Sequence, residues 1–445
     1  MNIYKLRFAP SPTGLLHAGN ARVAIINWLM ASANGGSMLL RIDDTDHARS
    51  NQKYIENIHK DLSWLNLNWS NEVRQSNRTH LYDDAAKTLR EMGRLYPCYE
   101  TEEELQYKRR RQLKAGRPPI YDRKSLSLSK LEKSKLEAKG QKPYFRFKLN
   151  HTSIEWGDIM RGSSLFEGKL LSDPILIRGD GRYLYHLPSC VDDLELGITH
   201  VIRGEDHVAN TAIHVQIFQA LGGTHPTFGH LPLMTDIKGV GLSKRFGSIT
   251  LKALRDEGYE PLALIKYLMS LGSDIGKTPI ASINELVKNF DVRKIGRTKP
   301  KFDLEQLWAE NIRFLHTMSS KVAINRLKQM GMDYVTDEFW NSIKQNIKTF
   351  EEARFWYDVC FGDITPIIEN FNFNKEALQQ LPPEPWDKKT WYKWTHSLAA
   401  ATKLKGRDLF LPLRKAITGQ DHGPELSTLL PLIGRKKVIL RLQTS

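Results

Sequence analysis

Arg7-Phe-Ala-Pro-Ser-Pro-Thr-Gly-Leu-Leu-His-Ala-Gly-Asn20 is the stretch whose reading decides the fold. Before it, Ile3-Tyr-Lys-Leu-Arg-Phe8 is a short β-prone run. After it, Arg22 to Ala33 carries Val23, Ile26, Leu29 and Met30 on a helical stripe, and Gly35-Gly36 ends the helix. Residues 38–42, Met-Leu-Leu-Arg-Ile, read as a second strand. Strand, helix and strand with short links predict a βαβ unit, hence a parallel sheet with a right-handed crossover. A loop after the first strand of such a sheet lies where ligands bind. Gly14 and Gly19 permit close backbone approach, and the helix that follows offers free N–H groups and a positive dipole end to a phosphate. His17, just before that helix, can donate to a phosphate oxygen that gains charge in a transition state.

The pattern returns far along the chain. Residues 199–203 read as a strand, 208–221 as a helix stopped by Gly222-Gly223, and 227–234 as another strand. Between the two halves, residues 101–148 are highly charged, with Lys-Arg-Arg-Arg at 108–111. Residues 153–185 read as short strands joined by Gly-Asp turns, as at 179–181. The reading is therefore a split nucleotide-binding domain with an insertion. Beyond about residue 250 the pattern turns helical, and no β-alternation is evident from 303 onward.

Bulk properties narrow the class. With 445 residues, the chain holds two to four domains at about 100–200 residues each. A charged fraction of 26% belongs to globular chains rather than disordered ones. No apolar run is long enough to span a membrane, and the N-terminus lacks the apolar core of a signal peptide, so a cytoplasmic protein is expected. The net charge of +15 points to a polyanionic partner. Three distant cysteines, Cys98, Cys190 and Cys360, argue against a disulfide framework and a cysteine-rich zinc site.

The segment from Pro10 to Gly19 resembles the first signature of class I aminoacyl-tRNA synthetases. Its glutamyl form continues into a run matched here by Arg41-Ile-Asp-Asp-Thr-Asp46. The likeness extends through Val191-Asp-Asp193, Val201-Ile-Arg-Gly-Glu-Asp-His207 and a degenerate second signature, Gly241-Leu-Ser-Lys-Arg245. Late matches are Lys301-Phe-Asp303 with Trp308 and Asn311, and the stretch from Arg414 to Leu430. In order and span this is similar to bacterial-type glutamyl-tRNA synthetases.

The resemblance implies an α/β fold: a class I, Rossmann-type catalytic domain with an α+β insertion, then an all-helical anticodon-binding region. It divides the chain into a first catalytic half (1–96), an acceptor-stem-binding insertion (97–190), a second catalytic half (191–238), a stem-contact region carrying the second signature (239–315) and a helical anticodon-binding region (316–445). The implied activity is ATP-dependent attachment of glutamate to tRNA through a glutamyl-adenylate, with or without mischarging of a glutamine tRNA. Arg7 would hold the γ-carboxylate, a role suited to a planar, permanently charged fork. Ala9, Ser11, Tyr185, Ser189 and Arg203 would line the same pocket, and Asp43 would pair with the α-ammonium. Pro10, Ser11, Pro12, Thr13, Gly14, His17, Gly19 and Asn20 would receive ATP, with Asp206, Leu242, Ser243, Lys244 and Arg245. His17 and Lys244 would be the catalytic pair, with Mg²⁺ arriving on the nucleotide. Lys108 to Arg117, Arg146 and Lys148 would face acceptor-end phosphates. Trp386, Trp391, Tyr392 and Trp394 would either read the anticodon or form core. A monomer is expected.

Four positions depart from the family pattern. Asp43 replaces a glutamate. Gly241 replaces the first lysine of the second signature, for which Lys238 or Arg245 is the candidate substitute. Cys98-Tyr-Glu100 keeps one cysteine of a Cys-x-Cys pair, so no structural zinc is expected. Ser189 stands where an asparagine is common.

Overall fold

The computed structural model describes residues 3–242, 249–275 and 282–443. These fall into two compact units, Met1–Asp256 with Ile265–Asp303, and Glu257–Leu264 with Leu304–Ser445.

The first unit opens with strand β1 (Lys5–Phe8), helix α1 (Ala18–Ala33), strand β2 (Ser37–Ile42), helix α2 (Gln52–Trp64) and strand β3 (Glu72–Arg74). β1 and β2 are parallel in the register Lys5 to Ser37 and Phe8 to Leu40, and β2 is parallel to β3. The βαβ reading from the sequence therefore holds. Two details differ. The helix begins at Ala18 rather than Arg22, because the His17 imidazole accepts the backbone N–H groups of Gly19 (3.0 Å) and Asn20 (3.4 Å), a side-chain N-cap. The helix is also buried on nearly all sides rather than along one stripe. Even Arg22 is buried, and its guanidinium donates to the carbonyls of Leu268 (3.4 Å) and Leu271 (3.1 Å).

Helix α3 (Thr79–Glu91) leads into the intervening segment. There β4 (Leu95–Cys98) and β5 (Tyr144–Phe147) pair antiparallel, separated by helices α4 (Glu102–Lys114) and α5 (Lys130–Ala138). Both helices carry N-terminal capping boxes, Thr101 with Glu104 and Ser129 with Glu132, and neither buries a residue. The charge-rich stretch is thus two solvated helices. Strands β6 (Ser153–Asp158) and β7 (Gly162–Glu167) form an antiparallel hairpin, and β8 (Ile175–Ile177) joins β5.

After helix α6 (His186–Glu195) the parallel frame resumes with β9 (His200–Gly204), helix α7 (Val208–Ala220) and β10 (Thr227–Leu231). β10 stops at Leu231, short of the expected 234, because Pro232 has no N–H to donate to a ladder. The two halves close on each other where Lys5 and Thr199 exchange hydrogen bonds of 2.8 and 2.9 Å. β6 meets the far edge of β10 at Asp158 and Phe228. A small parallel pair, β11 (Thr235–Asp236) and β12 (Lys301–Phe302), completes the unit.

Among the described residues beyond Asp303, the regular elements of the second unit are all helices. Its core gathers Phe339, Trp340, Trp356, Trp391, Trp394 and Leu430 among many aliphatics. Two of these buried indoles meet acceptors: Trp340 donates to Met318 O (3.1 Å) and Trp394 to Ala377 O (2.9 Å). Trp391 and Trp394 are therefore core, whereas Tyr392 is exposed. Glu260 receives two bonds from Arg326, of 2.7 and 2.9 Å, and its N–H donates to Asn311 Oδ1 at 2.7 Å. All three cysteines are free and buried. No helix among the described residues is long and apolar enough to cross a membrane.

The turn from α1 into β2 depends on one glycine. A Cβ on Gly36 would lie 1.9 Å from Tyr4 O, the atom that accepts the Ser37 N–H at 2.9 Å. Gly36→Ala should cost about 3 kcal/mol in urea unfolding of the first unit. Gly157→Ala, where nothing lies within 4 Å, should stay within about 0.5 kcal/mol. Equal effects of the two would refute the steric reading.

Candidate active site

The carboxyl ends of β1, β2 and β9 surround a cavity of about 450 Å³. It is lined by Arg7, Ala9, Pro10, Ser11, His17, Gly19, Asn20, Asp43, Tyr185, Arg203, Asp206 and Leu242, so most of the sequence-derived candidates converge. Pro12, Thr13 and Gly14 do not line it. Ser189 is buried on α6, also away from the lining, and its hydroxyl has no partner among the described residues. Ser243, Lys244 and Arg245 lie outside the described residues. Gly241 reaches the rim, whereas Lys238 is not among the lining residues.

A buried ion network floors the cavity. Asp193, on α6, accepts from Arg7 Nε at 3.2 Å and from Arg41 Nη1 at 2.8 Å. Arg41 also grips Asp43 with two bonds, Nε to Oδ1 at 2.7 Å and Nη2 to Oδ2 at 3.1 Å. Burial pushes the Asp43 carboxyl up to about 6, although Arg41 pulls the other way. Below this layer Asp192 accepts from Arg78 (2.7 Å), Tyr82 (2.9 Å) and Gln75 (3.0 Å), which satisfies a carboxylate with no exposed surface. Sequence reading gave Arg41, Asp192 and Asp193 no role of their own. Their signal was present: all three lie inside the quoted motifs.

Arg203 is different. It is 6% exposed, yet no carboxylate pairs with it among the described residues. Its Nη1 donates to Tyr185 Oη at 2.8 Å, and its Nη2 to Thr211 Oγ1 at 2.6 Å. Its Nε faces His230 Nε2 at 3.3 Å. Burial lowers the Arg203 guanidinium from its ordinary value, though it stays charged at neutral pH. Burial likewise pushes the Tyr185 phenol up, against the pull of Arg203. A desolvated cation ringed by neutral groups has the chemistry to bind an anion.

At the other end of the cavity, the α1 cap settles the tautomer of His17. Nδ1 accepts from backbone N–H, so the ring proton is on Nε2. Burial lowers the imidazole pKa, so the ring is neutral near pH 7. A Cβ on Gly19 would come within 2.8 Å of that ring, so glycine is needed there to admit it.

In the intervening segment, a second cavity of about 760 Å³ is lined by Lys108, Arg109, Arg111, Arg117 and Arg146. Arg109, Arg111 and Arg117 are exposed. Lys108 is partly committed, 2.9 Å from Asp122. Arg146 is buried, stacked 4.2 Å over the Tyr121 ring and donating to Asp173 O at 2.5 Å. Among the described residues no group of three or more His, Cys, Asp or Glu side chains is placed to hold a metal ion. Asp193→Asn should destabilise the first unit by about 3 kcal/mol, since two buried guanidinium groups would share a neutral amide. Urea unfolding checks this, and a change under about 1 kcal/mol would show that the network is dispensable.

Residues 4–309 match the catalytic domain of class I tRNA synthetases (E and Q), and residues 337–445 match an anticodon binding domain. A glutamate–tRNA ligase of Azospirillum brasilense is 50% identical, with 98% of each chain covered. Glutamate–tRNA ligase 2 of Methylorubrum populi is 48% identical at the same coverage. A glutamate tRNA ligase from Elizabethkingia meningosepticum, crystallised in complex with its amino acid, superposes with a TM-score of 0.82 at 28% identity, covering 99% of this chain and 98% of that one. The fold is that of a class I synthetase with a helical anticodon domain, and the chain belongs to the glutamate–tRNA ligase family.

Proposed function

We propose that the chain attaches L-glutamate to its tRNA through a glutamyl-adenylate, and that the 450 Å³ cavity binds the amino acid and ATP. The observation that carries the pocket assignment is Arg203: a buried cation whose hydrogen bonds all go to neutral groups. Arg7 lies across the same cavity and is already neutralised in part by Asp193 at 3.2 Å. Together they form a cradle for a side-chain carboxylate. Glutamine would leave the Arg203 charge unpaired, which costs about 2–4 kcal/mol and disfavours it without an editing site. Ala9 and Ser11 complete the wall. Asp43, ionised, takes the α-ammonium.

The family uses ATP. Pro10, Gly19, Asn20, Asp206 and Leu242 line the part of the cavity assigned to the nucleotide. The glutamate α-carboxylate attacks the α-phosphorus, and pyrophosphate departs in line. His17 donates its Nε2 proton in a hydrogen bond to a phosphate oxygen as charge grows there. Lys244, assigned from the second signature alone, adds a positive contact. Magnesium carried in with the nucleotide would supply charge screening of the leaving phosphates. The terminal ribose hydroxyl of tRNA then attacks the activated carbonyl, the acyl–phosphate bond breaks, and AMP departs with the hydroxyl proton passing to its phosphate or to solvent. Neither step needs a covalent enzyme intermediate, so positioning and charge stabilisation supply the catalysis. Arg109, Arg111, Arg117 and Lys148 support an acceptor-end contact in the segment 97–190. The helical region carries the anticodon contact, and exposed Tyr392 is its best-placed aromatic of the four considered. We further infer a cytoplasmic monomer.

ATP–pyrophosphate exchange with glutamate, with and without tRNA, tests the activity, and exchange in neither condition would refute it. Arg7→Ala should raise KM for glutamate by about 100-fold with little change in KM for ATP. An unchanged glutamate KM would remove Arg7 from the pocket. The Asp43 carboxyl, raised to about 6, should also shape the pH profile. As pH falls through that value the carboxyl is neutralised and its hold on the α-ammonium is lost, so kcat/KM for glutamate should fall below about pH 6. Asp43→Asn should flatten that limb, and a limb that persists in this variant would assign it to another group.

A further inference from the structure

Behind Arg203, away from the cavity, lies a buried polar chain that the reading above leaves unused. Asp158 sits at the end of β6, where that strand meets β10, and His230 is on β10. Asp158 Oδ1 accepts backbone N–H groups from Met160 (2.9 Å), Arg161 (3.0 Å) and His230 (3.3 Å). Its Oδ2 lies 2.5 Å from His230 Nδ1. The opposite ring nitrogen, Nε2, faces Arg203 Nε at 3.3 Å and Thr211 Oγ1 at 3.0 Å. Neither Asp158 nor His230 lines the cavity.

The proton positions follow from the donors. Arg203 Nε can only donate, so His230 Nε2 must present a lone pair. The ring proton then belongs on Nδ1, pointing at Asp158. Burial alone would push the Asp158 carboxyl up, but the His230 ring and the backbone N–H groups outweigh it and hold the carboxyl below its usual range. Burial also lowers the His230 imidazole, so the ring is neutral. An ionised Asp158 thus keeps His230 in the one tautomer that can receive Arg203. Tyr185, Thr211, His230 and the His207 carbonyl hold the guanidinium fork, and the remaining Nη1 hydrogen has no partner among the described residues.

We propose that Asp158 and His230 are positioning residues for glutamate recognition: a carboxylate–imidazole relay that aims the Arg203 fork into the pocket by keeping its neighbour an acceptor. The inference rests on Arg203 being a glutamate contact. It also gives β6, which lies outside the two parallel halves, a part in amino-acid specificity.

Asp158→Asn is the diagnostic change. The three backbone N–H groups hold the amide oxygen at the Oδ1 position and turn the –NH₂ group toward Nδ1. His230 must then carry its proton on Nε2, donor facing donor against Arg203. In ATP–pyrophosphate exchange with tRNA present, KM for glutamate should rise about tenfold while KM for ATP moves less than about twofold. His230→Gln has no tautomer to switch and can still offer an oxygen to Arg203. In that background the Asp158→Asn change should add less than about twofold. Equal rises in both KM values, or the same factor in both backgrounds, would overturn the relay. If Asp158→Asn does not fold, His230→Leu against His230→Gln decides: the leucine variant should lose glutamate affinity and the glutamine variant retain it. Indistinguishable behaviour of the two would refute the proposal. Arg203→Lys separates the two levels. An unchanged glutamate KM there overturns the pocket reading itself, whereas a raised one beside an unaffected Asp158→Asn overturns only the relay.

Discussion

Asp193 holds two guanidinium groups, and the floor of the cavity depends on that one carboxylate. Arg7 comes from the first strand of the sheet, Arg41 from the second, and Asp193 from a helix about 150 residues further on. Each charge taken singly would be expensive to bury; as a set they satisfy one another. The arrangement has a geometric consequence as well. With Arg41 clamped on Asp43 and Asp193, neither arginine side chain can swing out to solvent, so the cavity keeps its shape with no ligand bound. Such preorganisation avoids the entropy of ordering long side chains when a substrate arrives.

Against this neutralised floor, Arg203 stands out by contrast. Three buried carboxylates serve Arg7, Arg41 and Arg78, while Arg203 is surrounded by a phenol, a hydroxyl, an imidazole and a carbonyl. The placement of carboxylates within one network thus leaves Arg203 without a carboxylate partner among the described residues. Four neutral histidines stand near it, His186, His207, His214 and His230, each with its imidazole pKa lowered by burial and, in part, by Arg203 itself. They supply polar contacts without adding charge, so the field in the pocket remains that of the arginines.

Much of this was legible in the chain. The run of two prolines, two glycines and a histidine after a strand announced a ligand loop, and the return of a strand–helix–strand pattern near residue 200 announced the second half of the sheet. The charge-dense residues 101–148 read as part of an insertion between the two halves, and its helices α4 and α5 bury nothing. The departures have local causes. His17 starts its helix four residues early because its ring caps the backbone. Strand β10 ends early at a proline. Arg146 looked like a phosphate contact by its charge, yet it is stacked on Tyr121 and buried, because a guanidinium plane packs on an aromatic face as readily as it meets an anion.

What the sequence determined by itself was periodicity and local chemistry: which segments pair in parallel, where glycine is needed, and which short motifs carry a fork, a carboxylate or a ring. Those properties are written in spacings of a few residues. Only the tertiary structure decided how the charges are partnered. Whether Arg41 faces substrate or holds Asp43, and whether Arg203 meets a carboxylate or four neutral groups, depends on elements far apart in the chain coming together as β1 closes against β9. Desolvation in that closed space then sets the pKa of each group, and it acts on every neighbour within reach regardless of its place in the sequence.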